Sequence, residues 1–198
     1  MELKLFNRWS MEGITVKDVG LQRYISVKPV IVPRTGARYA QKKFHKSRIN
    51  IVERLMNKMM IPGHKSRKHF KSSGHCCGRG AHVYNMLEDC FTLIEQKTKK
   101  NPIEVFVKAV ENAAPREEII TIEYGGARYP KAVECSPQRR IDIALRYMVQ
   151  GSYHRAFNTK KKTVEHLADE IVNAANCTGQ SNAIAKKNEL ERQADSSR

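Results

Sequence analysis

The fold class this sequence predicts is mainly α: a compact helical domain of about six helices with one protruding two-stranded β-hairpin. Three observations predict it. Apolar residues recur at i, i+3, i+4 and i+7 through five long windows. Capping residues and prolines bound several of those windows. Only "EEIITIEYGGARYPKAVEC", 117–135, has β-branched residues on both sides of a turn dipeptide.

Residues 1–33 hold the only Trp (Trp9) and a scatter of Phe6, Ile14, Val16, Leu21, Tyr24 and Ile25, closed by Pro29 and Pro33. They read as an N-terminal arm lying on the helical domain of residues 34–198. Over 36–46 a helix is expected, with Ala37, Ala40, Gln41 and Phe44 inward and Arg38, Lys42 and Lys46 on the opposite face. Asn50 with Glu53 resembles a capping box for the next helix. Its stripe of Val52, Leu55, Met56, Met59 and Met60 ends before Pro62, and core packing explains so many methionines. "PGHKSRKHFKSSGHCCGRG", 62–80, follows as a basic loop without apolar period.

Val83, Met86, Leu87, Cys90, Phe91 and Ile94 form the stripe of a helix over 81–96. The helix over 102–113 has a cap (Asn101), a first-position proline (Pro102) and a first-turn acid (Glu104), and stops at Pro115. In the hairpin, Gly125-Gly126 permits the positive φ of a tight turn, and Pro130 restricts it to a two-stranded ribbon. Ser136 and Pro137 open a helix with Ile141, Ala144, Leu145 and Met148 on one face and Gly151 to close it. Thr163 begins another, with Val164, Leu167, Ala168, Ile171, Val172 and Ala175 inward, ending in a turn near Gly179. A last helix, 182 to about 194, packs through Ile184 and Leu190.

The formal charge is +16 and the isoelectric point about 9.8. Between Arg34 and Lys71 stand twelve Lys or Arg and one acid, Glu53, so most of the excess falls in 38 residues. Solubility alone needs no such concentration, and a polyanionic partner explains it. No run approaches the ~18 apolar residues of a membrane span, and the N-terminus lacks a hydrophobic signal core, which places the chain in the cytosol. Five cysteines, an odd number, are expected as thiols.

Arg139 and Arg140 sit at the start of a helix, where the dipole disfavours cations. A phosphate held by both guanidiniums and the first-turn N–H groups would reverse that cost. Local pairing with Glu134 or Asp142 is the competing reading. The bases of 34–71 interleave with Tyr39, Phe44 and Phe70, and "RAFNTKKK" at 155–162 adds a third basic run, which favours a phosphate backbone. At the hairpin tip, Tyr124, Arg128, Tyr129 and Lys131 suit stacking on an exposed base, a mode typical of RNA. His64, His69, His75, Cys76, Cys77 and His82 offer zinc donors, but adjacent cysteines lack the spacing that lets two thiolates share one ion, so no metal is expected. No phosphate-cradling loop, nucleophile elbow or HExxH is present, which argues against an enzyme.

"VECSPQRRIDIAL" resembles the VxVSPxRRxxxA signature of the universal small-subunit ribosomal protein seven family, called protein five in eukaryotes. The similarity extends through "IVERLMNKMM", "NPIEVFVKAVENAAPREE", "AFNTKKKTVEHLADEIVNAA" and "SNAIAKKNELERQADSSR". "LFNRWSMEGITVKDVGLQRYI" and "GARYAQKKFHK" match its eukaryotic and archaeal branch. The resemblance implies a structural constituent of the small subunit without cofactor. It would bind the 3′ major (head) domain of the rRNA, support head assembly and neighbour head and platform proteins, exit-site tRNA and mRNA. It would be cytoplasmic on the ribosome, with assembly beginning in the nucleolus if the source is eukaryotic. Together with the basic runs it implies rRNA contacts at Arg34, Arg38, Lys42, Lys43, Lys46, Arg48, Lys65, Arg67, Lys68, Lys71, Arg116, Ser136, Arg139, Arg140, Arg155, Lys160, Lys161 and Lys162. A tip near tRNA and mRNA would comprise Tyr124, Gly125, Gly126, Arg128, Tyr129 and Lys131. The sequence departs from the family in the His/Cys-rich 62–82, in Tyr129-Pro130 where bases are expected, and in "SYHRAFNT" for an Ala-rich helix. A non-ribosomal RNA- or DNA-binding protein is the alternative.

Overall fold

Apolar stripes at helical spacing bury themselves against one another, and the architecture follows from how they meet. A computed structural model describes residues 3–65, 68, 69 and 78–198, and for 64, 65, 68 and 69 the backbone alone. The elements are β1 (Lys4–Leu5), β2 (Trp9–Ser10), α1 (Val19–Gln22), α2 (Ile51–Met59), β3 (His64–Lys65), β4 (Lys68–His69), α3 (Gly80–Thr98), α4 (Pro102–Ala113), β5 (Glu117–Tyr124), β6 (Ala127–Glu134), α5 (Pro137–Ala156), α6 (Thr163–Ala175) and α7 (Asn182–Asp195). Among the described residues each strand pairs antiparallel only with its neighbour in sequence. The fold is therefore mainly α with a hairpin, as the periodicities predict.

The core is assembled around α6, which packs on α3, α4 and α5. Leu87, Phe91, Ile94, Ile103, Phe106, Ile141, Leu145 and Met148 are fully buried. The N-terminal residues join them. Phe6 and Trp9 meet Phe91 edge-on at centroid distances of 6.1 and 5.8 Å, and the Trp9 indole N–H donates to Glu95 at 3.0 Å. The β1–β2 ribbon and α1 were not legible as elements in the aromatic scatter of 1–33.

Several local expectations are corrected. The 36–46 helix is absent: two 3-10 turns, Arg38–Gln41 and His45–Arg48, stand there, with Ala37 and Phe44 at φ +61° and +60°. A helix would have stacked Arg38, Lys42 and Lys46 four apart with no acid between, a repulsive row. Asn50 does cap α2, accepting from Val52 N–H at 2.9 Å. Glu53 does not return to close the box; its Oε1 accepts from the Thr35 N–H and hydroxyl at 2.9 and 2.6 Å. Gly151 does not end α5, which runs on to Ala156. It lies where α7 crosses: a Cβ on Gly151 would sit 2.5 Å from that of Asn182, whose amide donates to the Tyr147 carbonyl at 2.9 Å. Its glycine serves close approach rather than a turn.

Candidate nucleic-acid interface

The two arginines at the start of α5 are paired, and with neither acid expected from sequence. Arg139 Nε donates to Glu118 on β5 at 2.6 Å. Arg140 donates to Asp18 at 2.8 Å and to the Pro115 carbonyl at 3.1 Å, with its side chain 11% exposed. The guanidiniums thus diverge, one to the hairpin and one to the arm, instead of converging on one anion. Carboxylates brought in by tertiary structure offset the unfavourable cations at the helix start. Although burial works to raise it, Arg140 holds the Asp18 carboxyl below its ordinary value, helped by the Gly20 N–H. Ser136 has extended capping backbone, and its carbonyl accepts the Arg140 N–H at 3.0 Å, but its hydroxyl makes no cap bond. Arg139 remains more than half exposed, at 58%.

Asp142, one turn further on, is claimed from α2. It accepts from Arg54 at 3.0 Å and from Lys46. Burial works against its charge, but these hydrogen bonds and charges outweigh it and hold the carboxyl below the usual range. Arg54 itself is almost wholly enclosed and also donates to the Tyr24 carbonyl at 3.1 Å.

With Asp142 occupied, Lys58 and Arg146 have no ion-pair partner among the described residues. They line a groove of about 400 Å³ between α2 and α5 with Asn57, Ile61, Pro62, Val149 and Gln150. Burial lowers the Lys58 ammonium below its ordinary value, and Arg146, Lys46 and Arg54 add to this against the pull of Asp142. A phosphate entering the groove would relieve that crowding. The reading of basic runs missed both residues because they lie 88 positions apart. The available signal was Arg54 and Lys58, four apart on a short amphipathic helix.

Arg34, Arg38, Lys42, Lys43 and Arg48 are exposed around the 3-10 turns, and Lys46 is partly exposed beside Asp142. Lys160, Lys161 and Lys162 are exposed ahead of α6. Arg155 reaches the buried Glu170 at 3.3 Å and the Gln180 carbonyl. Glu170 in turn accepts from the Ser181 hydroxyl and Ala183 N–H at 2.7 and 2.9 Å, so this arginine also holds α6 to α7. Arg116 is exposed, and its backbone N–H donates to Glu191 at 2.9 Å. The expected contacts Arg67 and Lys71, with His75, Cys76 and Cys77, lie outside the described residues, as do the side chains of Lys65 and Lys68.

The hairpin stands off the helices beyond its root. Gly125 and Gly126 take φ +57° and +80°, the two left-handed positions of the tight turn. Pro130 faces Thr121 in register, within a ribbon that has no third strand among the described residues. Pairing of Ile120 with Lys131 and Ile122 with Tyr129 puts Ile120, Ile122, Tyr124, Tyr129 and Lys131 on one face. Tyr124 is 82% exposed. Arg128 lies on the other face, 3.6 Å from Glu123. The root is clasped by Arg139 on Glu118 and by Arg198, whose Nη2 donates to both Glu117 oxygens at 2.6 and 2.7 Å.

The model of the family described as ribosomal protein S7p/S5e matches residues 21–198. The chain is similar to a protein named small ribosomal subunit protein uS7 from Nanoarchaeum equitans, 50% identical over 198 residues and the whole of both chains. A protein of the same name from Methanosphaera stadtmanae is 43% identical over 196 residues, 99% of each.

Proposed function

Because the chain belongs to the ribosomal protein S7p/S5e family, in its archaeal branch and thus among structural, non-enzymatic components of the small ribosomal subunit, we propose that it binds the 3′ major (head) domain of small-subunit rRNA and supports head assembly. The observation that carries this reading is similarity along the entire chain to archaeal small-subunit proteins. The mechanism is neutralisation of phosphates by several separate basic surfaces, which fixes the relative geometry of rRNA helices. Arg34, Arg38, Lys42, Lys43, Arg48, Arg139 and Lys160 to Lys162 supply exposed charge, joined by Lys58 and Arg146 in the α2–α5 groove. Arg116, Arg155 and Lys46 divide their groups between the fold and the RNA, and Arg140 holds the arm.

The protruding hairpin extends toward exit-site tRNA and mRNA, with Tyr124, Gly125, Gly126, Arg128, Tyr129 and Lys131 at its end. Its apolar, aromatic face suits exposed bases more than a duplex backbone. Neighbouring head and platform proteins complete the surroundings on a cytoplasmic ribosome. No described helix is long and apolar enough to cross a membrane.

Titration of the full chain with transcripts of the 3′ major and 5′ domains tests the reading. The 3′ major transcript is expected to bind at least about tenfold tighter, a difference of 1.4 kcal/mol. Its log K should fall with log salt at a slope steeper than about −4, the value for some five phosphate contacts. Equal affinity for the two transcripts would contradict head-domain binding.

A further inference from the structure

Phe44 stands out among the residues left without a role. The residue is 74% exposed, and its ring meets no other aromatic among the described residues. Its φ of +60° is a conformation that bulky side chains rarely adopt. Strain of this kind persists where the surroundings over-determine it, and it concentrates at functional sites.

The surroundings are specific. Phe44 helps line a cavity of about 370 Å³ shared with Tyr39, Lys42, Lys43, Lys46 and Gln138. Lys42 and Lys43 are exposed and without a carboxylate partner among the described residues. Gln138, in the first turn of α5, is 9% exposed, and its buried Nε2 donates to nothing among the described residues. A buried amide donor left unpaired costs free energy, and an acceptor from a ligand would remove that cost. An apolar ring, flanking ammonium groups and an orphan donor are the groups that recognise a nucleotide removed from its stack: face, phosphates and base edge.

We propose that this cavity receives one unpaired nucleotide of the rRNA, its base stacked on Phe44, its edge accepting from Gln138 Nε2, and its flanking phosphates held by Lys42 and Lys43. The proposal rests on rRNA binding as read above and assigns a stacking contact that phosphate neutralisation does not include. It explains why the chain between the two 3-10 turns turns this ring outward: inward on a helix, it could not meet a base.

The test is titration of the full-length chain with a 3′ major domain transcript, comparing wild type with F44Y, F44W, F44L, F44G and Q138L. F44Y and F44W should stay within about threefold of wild type, whereas F44L and F44G should lose about 5- to 150-fold, the range for removing one base–aromatic stack. The salt slope should not change, because no phosphate contact is lost. The F44W indole should be quenched on binding, after subtraction of the wild-type Trp9 signal. F44G relieves the left-handed strain and Q138L removes the unpaired donor, so both should raise the melting temperature while weakening binding. Misfolding cannot produce that opposition of sign. F44L binding as tightly as wild type, or an unquenched F44W indole, overturns the proposal. If F44L binds RNA normally yet fails to enter small subunits, Phe44 docks on a neighbouring protein and the stacking role is likewise overturned. Failure of the wild-type chain to bind the transcript would sink the rRNA reading itself, and this inference with it.

Discussion

Arg54 is 4% exposed in its side chain and depends on one acid, Asp142. Asp142→Asn leaves that guanidinium enclosed without its counter-charge and should destabilise the chain by about 3 kcal/mol at neutral pH, the lower end for breaking a buried pair. Because the Asp142 carboxyl is held below its unfolded value, its contribution is present above the ordinary carboxylate pKa and disappears as pH falls through the depressed one. Urea unfolding of wild type and variant at pH 7 and near pH 3 checks the sign: the gap between them should shrink in acid. A gap independent of pH would mean that packing, not charge, is lost. Arg139 and Arg140, adjacent in sequence, should separate in the same way. Arg139→Gln removes an exposed cation and should cost little stability while flattening the salt slope by roughly 0.7–0.9. Arg140→Gln opens the Asp18 clasp on the arm and should lower stability with the slope unchanged. Identical behaviour of the two would contradict the divergence of their contacts.

At the scale of elements, Gly151 gives a prediction whose sign is set by packing. Helix propensity alone says that Gly→Ala inside α5 gains about 1 kcal/mol. With Asn182 Cβ 2.5 Å from where the new methyl would stand, Gly151→Ala should instead cost about 1–3 kcal/mol, as overpacking does. Thermal unfolding decides, and a rise in melting temperature would refute the close crossing of α5 and α7. The contrast shows where sequence reasoning holds. The α3 and α4 stripes, the Asn101 cap and the Gly125-Gly126 turn were legible because each depends on residues within a few positions of one another. Gly151, Glu53 and the protein partners of the two α5 arginines were misread because those partners arrive from 18 to 122 residues away, and a local motif offered a substitute each time. The 36–46 segment failed differently. Its Ala and Phe matched a helical period, but like charges along one side outweighed the pattern. The basic runs of the candidate interface were legible in the sequence and are exposed in the fold, whereas the Lys58–Arg146 groove existed only once α2 lay beside α5.

For the whole molecule, one apolar core carries three kinds of cationic surface: the 3-10 turns, the α2–α5 groove and the lysines before α6. On the proposed function, their separation would let one small chain hold several rRNA helices at fixed angles and would make their contributions to salt dependence nearly additive. Lys160→Glu, Lys161→Glu and Lys162→Glu together should flatten the slope by about two to three units. They should leave stability unchanged or slightly higher, since acids suit the N-terminal end of α6. An unchanged slope would remove this surface from the interface. The most direct measurement is sedimentation of a lysate from cells expressing the chain through a high-salt sucrose gradient, with each fraction probed for it. Co-migration with small subunits and with whole ribosomes after the wash is the predicted result; recovery as free protein at the top of the gradient would contradict a structural place in the small subunit.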